Sequence, residues 1–411
     1  MSPNLTRYAM LLVFVAAAAT TPIPASAQEE EVSLGDALTK GKISLNLHYR
    51  YEEVDEARFD DRGRASTLRT ALGYRTLSWK RLSAFLEFED VRDVGLGDEH
   101  NNGGFGSLWN GVRDRPVIAD APITEINQTY LDWKPLDGLP IRGGRQEIIV
   151  DNARFIGNVG WRQNHQSFDG AMIHFNGWKN VSLGYTYIGN QRAISGESRP
   201  MSTSQLDGTF TFGNVGTLHA YLLSIEYDQQ AQRNLSTGTI GASFAGKAKL
   251  SDTLDLTYRL ELATQSDTGN NPGSVEADYG RADLGLKVGK VNFGAGYEVL
   301  GGAEGEGSFS TPLATLHKFN GWADRFLNTP ANGLRDAFVS AGATLGSWKL
   351  TAVYHDFSAD GGGASWGTEF DGSVVFTTSW KQQFAFKFAL YSADEWSNDT
   401  DKLWVWTRWG F

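Results

Sequence analysis

The chain has 411 residues, with 37 lysines and arginines against 48 aspartates and glutamates, which gives a formal net charge of −11. Because there is no cysteine, disulfide scaffolds, cysteine nucleophiles, iron–sulfur clusters and Cys-ligated zinc are excluded. The acidic balance disfavours nucleic-acid binding. A mean hydropathy of −0.33 excludes a polytopic helical membrane protein.

The N-terminus has the three parts of a secretory signal peptide. Arg7 precedes an apolar run over 9–19, and a small-residue site follows at Ala25-Ser26-Ala27. The apolar run is shorter than the roughly 20 residues that a membrane-spanning helix needs. We therefore predict cleavage after Ala27, with residues 1–27 as the signal peptide and residues 28–411 as a single exported domain.

Beyond the signal peptide, the apolar residues alternate with polar ones at period 2, which is typical of β-strands. In the stretch 254–264, for example, Leu260 and Leu262 share one face and Glu261 lies on the other. About eighteen such segments follow one another. They lie near residues 43–52, 67–75, 82–91, 124–133, 140–149, 167–175, 181–188, 206–212, 217–227, 237–246, 254–264, 278–288, 291–300, 337–345, 348–357, 367–376, 383–391 and 402–411.

The connections between these segments alternate between short and long. Short ones such as 289–290 and 346–347 have Gly-containing turn sequences, whereas 92–123, 189–205 and 301–336 are long. An even number of strands with short periplasmic turns and long extracellular loops is the layout of a bacterial outer-membrane β-barrel. We therefore predict an all-β fold, a single transmembrane antiparallel barrel of about 18 strands.

A soluble β-sandwich would show the same alternation, so two further features decide between the classes. Ionisable residues recur along the polar faces of the strands, and aromatic residues such as Trp133, Trp178 and Trp380 cluster at strand ends, as in the girdles of outer-membrane barrels. The alternating last strand also ends in Phe411. A terminal strand of this kind resembles the signal by which the barrel-assembly machinery recognises its substrates. Outer-membrane lipid and lipopolysaccharide are the further partners that a barrel implies.

A barrel of this size is too wide for side chains to fill, so the polar faces should line an aqueous channel. The predicted lumen carries both signs of charge. Its positive residues are Arg50, Arg69, Arg75, Arg259, Arg281, Lys287, Lys387 and Arg408. Its negative residues are Glu87, Glu89, Glu261, Asp283, Glu298, Glu369 and Asp371.

Some of these charges can be paired across strands. The two-residue turn at 289–290 places Arg281 opposite Glu298, and a register across the preceding loop places Glu261 opposite Arg281 and Arg259 opposite Asp283. The result is a charged ladder, which serves either to hold the wall together or to select solutes.

The long connection 301–336 contains apolar residues such as Phe309, Leu313 and Trp322, which favour burial. We expect this loop to fold onto or into the barrel, either as a constriction or as a packed cap at the rim. The chain has no nucleotide-binding loop, no nucleophile elbow and no paired-histidine metal motif, so we predict neither an enzyme nor a cofactor nor a metal site.

Two segments carry a resemblance to a known family. The first reads Gly144-Arg145-Gln146, then Asn152-Ala153-Arg154-Phe155, and then Ser167-Phe168-Asp169-Gly170. The second lies at 311–326 in the long loop. This succession resembles the alginate-export family of outer-membrane porins. The resemblance implies an arginine-lined constriction that draws on Arg145, with Arg154 and Asp169.

Simple alternation from Ile141 would point Arg145 at lipid, where a charge at the bilayer midplane costs about 2–4 kcal/mol. We therefore predict a β-bulge at Gly143-Gly144 that turns Arg145 inward. Three functions stay open. The first is a passive channel in a Gram-negative outer membrane for hydrophilic small solutes or oligosaccharides, anionic ones among them. The second is a dedicated export pore for an anionic, alginate-like polysaccharide, working with periplasmic partners. The third is a non-conducting adhesin or barrel enzyme.

Overall fold

The computed structural model describes residues 32–95, 99–303 and 307–411. The predicted signal peptide, residues 1–27, lies outside the described residues. Eighteen strands form one antiparallel sheet that closes on itself, because β1 pairs with both β2 and β20. These strands are β1 (Lys42–Glu56), β2 (Gly63–Arg75), β3 (Leu82–Asp93), β4 (Thr124–Leu136), β5 (Leu139–Gln146), β6 (Ser167–Trp178), β7 (Val181–Arg192), β8 (Ser198–Phe212), β9 (Gly216–Ile225), β10 (Thr237–Lys249), β11 (Leu254–Asp267), β12 (Glu276–Val288), β13 (Val291–Leu300), β16 (Leu334–Leu345), β17 (Trp348–Ser358), β18 (Ser365–Thr377), β19 (Gln383–Ala393) and β20 (Thr400–Gly410).

Two further strands, β14 (Gly302–Ala303) and β15 (Gly307–Ser308), pair with each other in the loop between β13 and β16. All eighteen predicted strands are present, and the closed barrel confirms the predicted fold class. A six-residue helix, α1 (Leu34–Thr39), precedes β1 and was not predicted. None of the helices in the described part of the chain is long and apolar enough to cross a membrane.

The apolar face of the strands forms the outside of the barrel. In β11 the side chains of Leu260 and Leu262 are 53% and 61% exposed, whereas Glu261 between them is buried inside. This inverts the usual arrangement of a soluble protein and is what lipid contact requires. At the strand ends, Trp133, Trp178 and Trp380 are also exposed on the surface.

The connections at the two ends of the barrel differ in length, as predicted. Those at the periplasmic end have two to six residues, while the extracellular ones reach 20 residues at 147–166, 30 at 94–123 and 33 at 301–333. The prediction of a long loop over 189–205 is wrong, because β7 extends to Arg192 and β8 already begins at Ser198. Its polar residues continue the strand pairing instead of leaving the sheet.

The predicted β-bulge at Gly143-Gly144 is also wrong. The pairing of β5 with β4 continues without interruption from Ile141 to Arg145, and so does its pairing with β6. Gly144 adopts a φ of 130°, and a Cβ there would lie 2.4 Å from the carbonyl oxygen of Thr129. The glycine therefore accommodates a close backbone approach without changing which face its neighbours occupy. The nearest irregularities lie one strand further out on either side, in the pairing of β6 with β7 at Asp169-Gly170 and in the pairing of β4 with β3 beside Gln128.

Candidate functional site

The fifteen charged residues predicted for the inner wall all lie on that face of their strands. Glu89, Glu298 and Asp371 are fully buried inside the barrel, and Lys387 is 6% exposed. Lys287, near the periplasmic end of β12, is exposed. Strand alternation explains the inward placement. The burial has a second cause, because three extracellular loops enter the lumen and cover these side chains.

The predicted ladder has the register that the turn at 289–290 implies. Arg281 lies opposite Glu298 on β13 and opposite Glu261 on β11, and Arg259 lies opposite Asp283. Arg281 forms ion pairs with Glu298 at 3.4 Å and with Asp283 at 2.8 Å. Arg259 forms an ion pair with Glu261 at 2.7 Å. The predicted register of the ladder is therefore correct, although two of its ion pairs join residues of the same strand and not of neighbouring strands.

The 301–333 loop enters the lumen, which favours the constriction over the packed cap. The backbone N–H groups of Trp322 and Ala323 donate to Asp371 at 3.2 Å and to Glu369 at 2.7 Å. Asp371 is the seventh residue of β18 from its extracellular end, which is about 20 Å along the strand. Phe309 in the same loop is fully buried against inner-wall aromatic rings. The apolar residues of this loop thus pack inside the barrel wall.

The 147–166 loop also lies in the lumen, which the sequence did not predict even though the family motif covers it. The backbone oxygen of Trp161 accepts from Arg50 at 2.5 Å, and Arg162 forms ion pairs with Glu52 at 3.1 Å and with Asp324 of the 301–333 loop at 3.0 Å. The two inserted loops are therefore bonded to each other as well as to the wall.

A third loop, 94–123, contributes Asp120, which accepts a short hydrogen bond from Arg50 and another from the backbone N–H of Gln163 at 2.9 Å. Burial alone would raise the pKa of this carboxyl, but the charges of Arg50 and Arg162 hold it below its ordinary value. In the 147–166 loop, burial similarly opposes ionisation of Glu147, yet hydrogen bonds from His165 and two asparagines lower the pKa of Glu147 to about 2. Both carboxylates are charged at neutral pH.

Arg145 and Asp169 do not line the lumen, so this part of the expected constriction is wrong. They lie opposite each other on β5 and β6, on the same outer face as Leu131 and Ile173, and form a two-pronged ion pair at 2.7 and 3.1 Å. Alternation continues through Gly143-Gly144, so nothing turns Arg145 inward. Because Arg145 is one residue from the extracellular end of β5, its charge lies where an outward arginine costs about 0–1 kcal/mol.

Arg154, the third residue implied by the resemblance, does lie in the lumen, but it is 1% exposed. Its guanidinium binds Glu298 of the wall at 2.9 Å and Asn320 of the 301–333 loop at 3.1 Å, and it lies over the ring of Phe319. A side chain so enclosed contacts the loops and not a passing solute.

A basic row occupies the inner wall where the sheet closes. Arg69, His48 and Arg408 lie side by side on β2, β1 and β20. Arg69 is paired with Glu89 at 2.5 Å, but Arg408 has no hydrogen-bond or ion-pair partner among the described residues. It is exposed, so its guanidinium is available to an anion in the lumen. The mutual repulsion of two guanidinium groups makes such an anion favourable.

Within residues 32–95, 99–303 and 307–411, no group of three or more histidine, aspartate or glutamate side chains is arranged to hold a metal ion. The inner wall thus offers charge and hydrogen bonding, and these are the interactions by which a channel attracts or repels hydrophilic solutes.

A closed 18-stranded barrel with an apolar outside and a charged lumen narrowed by loops defines an outer-membrane porin. Solved porin structures of the Occ/Opd group share this fold. OccAB2 of Acinetobacter baumannii superimposes with a TM-score of 0.72 at 14% identity, over 92% of this chain and 100% of that one. OccK9 (OpdG) of Pseudomonas aeruginosa superimposes with a TM-score of 0.72 at 12% identity, over 91% of this chain and 99% of that one. OpdK of Pseudomonas aeruginosa, solved with vanillate, superimposes with a TM-score of 0.70 at 12% identity, over 90% of this chain and 98% of that one.

The family model described as alginate export matches residues 41–301 of the chain. The chain therefore belongs to the alginate export family, and its location is the outer membrane of a Gram-negative bacterium. The matched structures are porins and not enzymes. No curated protein sequence matches the chain.

Proposed function

We propose that this porin is a passive channel for small hydrophilic anions. The observation that carries the proposal is the basic row at the closure of the sheet, where Arg408 is inward, exposed and without a partner among the described residues. A passing anion would relieve the repulsion between Arg408 and Arg69. OpdK, whose structure was solved with vanillate, offers an example of a small aromatic carboxylate with a barrel of this fold.

Export of an alginate-like polysaccharide is the second candidate, and the family name is its main support. A polymer needs a continuous, wide and electropositive lumen. The inserted loops with Trp161 and Trp322 occupy the extracellular half of this lumen, and the inner wall carries both signs of charge. These features favour small solutes over a polymer.

Single-channel recording of the refolded protein in a planar bilayer tests the proposal. We expect a stable channel whose reversal potential in a salt gradient indicates anion preference. Arg408→Gln should reduce that preference, whereas Arg145→Gln, a control whose arginine lies on the outer face, should leave it unchanged. A folded barrel without conductance would contradict the passive channel and favour the adhesin. A cation-selective channel that Arg408→Gln leaves unchanged would contradict the anion site.

Three further proposals concern the biogenesis and surroundings of the barrel. Residues 1–27 would be cleaved as a signal peptide. The last strand, with Phe411 73% exposed beyond β20, would be recognised by the barrel-assembly machinery. Lipopolysaccharide would contact the outer face near the Arg145–Asp169 pair. Replacement of Phe411 by alanine should lower the amount of assembled barrel in the membrane, and an unchanged amount would contradict that role.

A further inference from the structure

One wall side chain contacts two of the three inserted loops. The ammonium nitrogen of Lys387 on β19 lies 3.9 Å from the ring centre of Trp161 in the 147–166 loop and 3.8 Å from that of Trp322 in the 301–333 loop. It also lies 2.6 Å from Nε2 of His317 in the second loop. The ring of Trp404, on the neighbouring strand β20, is 5.1 Å away. The ammonium is thus enclosed by three indole rings and one imidazole.

The groups around Lys387 hold one another in place. The ring of His317 stacks on that of Trp161 with centres 4.3 Å apart and planes 5° apart, so the two loops are joined directly at this point. The Nδ1 atom of His317 lies 2.7 Å from Asp324, which leaves Nε2 as the acceptor for the lysine. Lys387 thus contacts groups that are already paired with one another across the two loops.

Lys387 has no ion pair with a carboxylate among the described residues, which distinguishes it from Lys402 on β20, paired with Asp324 at 2.9 Å. Attraction between a cation and aromatic faces is strongest when both are withdrawn from water. Because Lys387 is 6% exposed and enclosed by rings, a solute in the lumen cannot reach its charge. The sequence-based role of Lys387 in solute selection therefore does not fit its surroundings.

A second wall residue joins the same two loops on another part of the barrel. Glu298 on β13 forms an ion pair with Arg154 of the 147–166 loop at 2.9 Å and accepts a hydrogen bond from Asn320 of the 301–333 loop at 2.8 Å. Each of these two wall residues thus contacts both loops, which are also joined directly by the Arg162–Asp324 ion pair and by a hydrogen bond from the N–H of Gly157 to the carbonyl of Leu313. At the Glu298 attachment, Arg281 and Tyr279 of the wall also contribute. At the Lys387 attachment, one cation contacts aromatic rings of both loops.

We propose that Lys387 is a positioning residue, which holds the two inserted loops together against β19 and thereby sets the width of the lumen without touching the solute. The proposal rests on the channel function stated above. Loss of the ammonium should loosen the rings of Trp161 and Trp322. The backbone contacts of these two residues with the wall, together with the attachment at Glu298, should keep the loops inside the barrel. The channel should then become wider and noisier without a change in its ion preference.

Recordings of Lys387→Met test this, because methionine keeps the length of the side chain and removes its charge. Because the cation–aromatic contacts of the loops are lost, we expect the mean conductance or its fluctuations to rise about twofold or more. The reversal potential should not change. Lys387→Arg, which restores a cation, should return the conductance toward that of the wild type. Lys402→Met is the matched control, since Lys402 is equally buried but contacts only one loop.

Trypsin cleavage of the folded barrel gives a measurement that does not depend on conductance. Arg154 and Arg162 in the 147–166 loop are 1% and 7% exposed, so both sites should be protected in the wild type. In Lys387→Met, the loop should open about 5- to 30-fold more often, and cleavage after Arg162 should accelerate accordingly. Trp322→Leu tests the same contact from the loop side if Lys387→Met does not fold.

The two measurements separate the two proposals. A wild-type barrel without conductance would remove the channel function, and the cleavage rates would still decide the role of Lys387. Unchanged conductance together with unchanged protection of Arg162 in Lys387→Met and Trp322→Leu would overturn that role. A changed reversal potential in Lys387→Met would show instead that the lysine selects ions.

Discussion

The two parts of the inner wall that hold the loops do so by different chemistry. Strands β11 to β13 bind loop side chains through ion pairs, such as Glu298 with Arg154 and Arg259 with Asp151. Strands β18 and β19 bind loop backbone, through the carboxylates of Glu369 and Asp371, and loop aromatic rings, through Lys387. The first part depends on the identity of a few charged side chains. The second depends on the conformation of the loop.

This difference locates the sensitive positions on each part. Where ion pairs are buried, loss of one partner leaves a charge without compensation, which is costly. Where the wall accepts backbone N–H groups, the sensitive residue is the glycine that allows the backbone to approach. Gly321 has a φ of 83°, and a Cβ there would lie 2.4 Å from Glu369 Oε2.

The largest effect should come from Glu298→Gln. It removes the charge that compensates Arg154, which is 1% exposed, and also weakens the pairing with Arg281. We expect the free energy of unfolding in detergent micelles to fall by about 3–5 kcal/mol. Asp255→Asn is the control, because its partner Lys247 is 60% exposed, and it should cost less than about 1 kcal/mol. Equal losses of unfolding free energy in Glu298→Gln and Asp255→Asn would contradict this distinction between buried and exposed ion pairs.

Gly321→Ala tests the second part of the wall. We expect a loss of about 3 kcal/mol in unfolding free energy, because strain at positive φ adds to displacement of the Glu369 carboxylate. Gly289→Ala is matched, with a φ of 59° but open space around its Cβ, and should cost only about 1 kcal/mol. If the two variants lose the same stability, the contact of Gly321 with Glu369 contributes nothing.

The third prediction concerns pH and His317, which contacts Lys387 in the second part of the wall. Burial holds the pKa of His317 well below its usual 6.5, the charges of Lys387 and Arg162 add to that effect, and Asp324 opposes it. The unfolded chain therefore binds a proton more readily than the folded one, so stability falls as the pH drops below about 6.5. We expect up to about 1.4 kcal/mol per pH unit from this residue. The difference in unfolding free energy between pH 7 and pH 5 should therefore be smaller in His317→Gln than in the wild type. An equal difference in the two proteins would contradict this prediction.

The smallest effect should come from Arg145→Gln on the outer face. Its ion pair with Asp169 is partly exposed, so the loss of unfolding free energy should be about 0.2–1 kcal/mol. Ion preference in bilayer recordings should not change. A marked loss of anion preference would show that Arg145 acts in the lumen, against the strand register described above.

The strands and the ladder followed from the sequence because both depend on local rules. Period-2 alternation assigns faces, and the two-residue turn at Gly289-Lys290 fixes which residues of β12 and β13 are opposite, so Arg281 met Glu298 as predicted. The same local rules fail for the loops. Trp161 and Lys387 are far apart in sequence, and no pattern in either segment specifies their contact.

The error at Arg145 has a different origin. The glycine pair before it is compatible with a bulge, but also with the uninterrupted pairing that β4 and β6 impose on both sides. The requirement that the charge face inward came from the family resemblance and from an assumed position at mid-membrane. At a strand end the outward position is tolerated, so that requirement does not hold.

The closure of the sheet has a consequence for the order of assembly. Every pairing in the barrel joins strands that follow one another in the chain, except that of β1 with β20, where Leu45 and Phe411 exchange two backbone hydrogen bonds. Each sequential hairpin closes a loop of at most 33 residues, whereas this contact joins the two ends of the barrel sequence and bears the largest entropic cost. We therefore expect it to form last. Until then the edges of both strands are open to any other strand, so the speed of this one step decides between a closed barrel and aggregation.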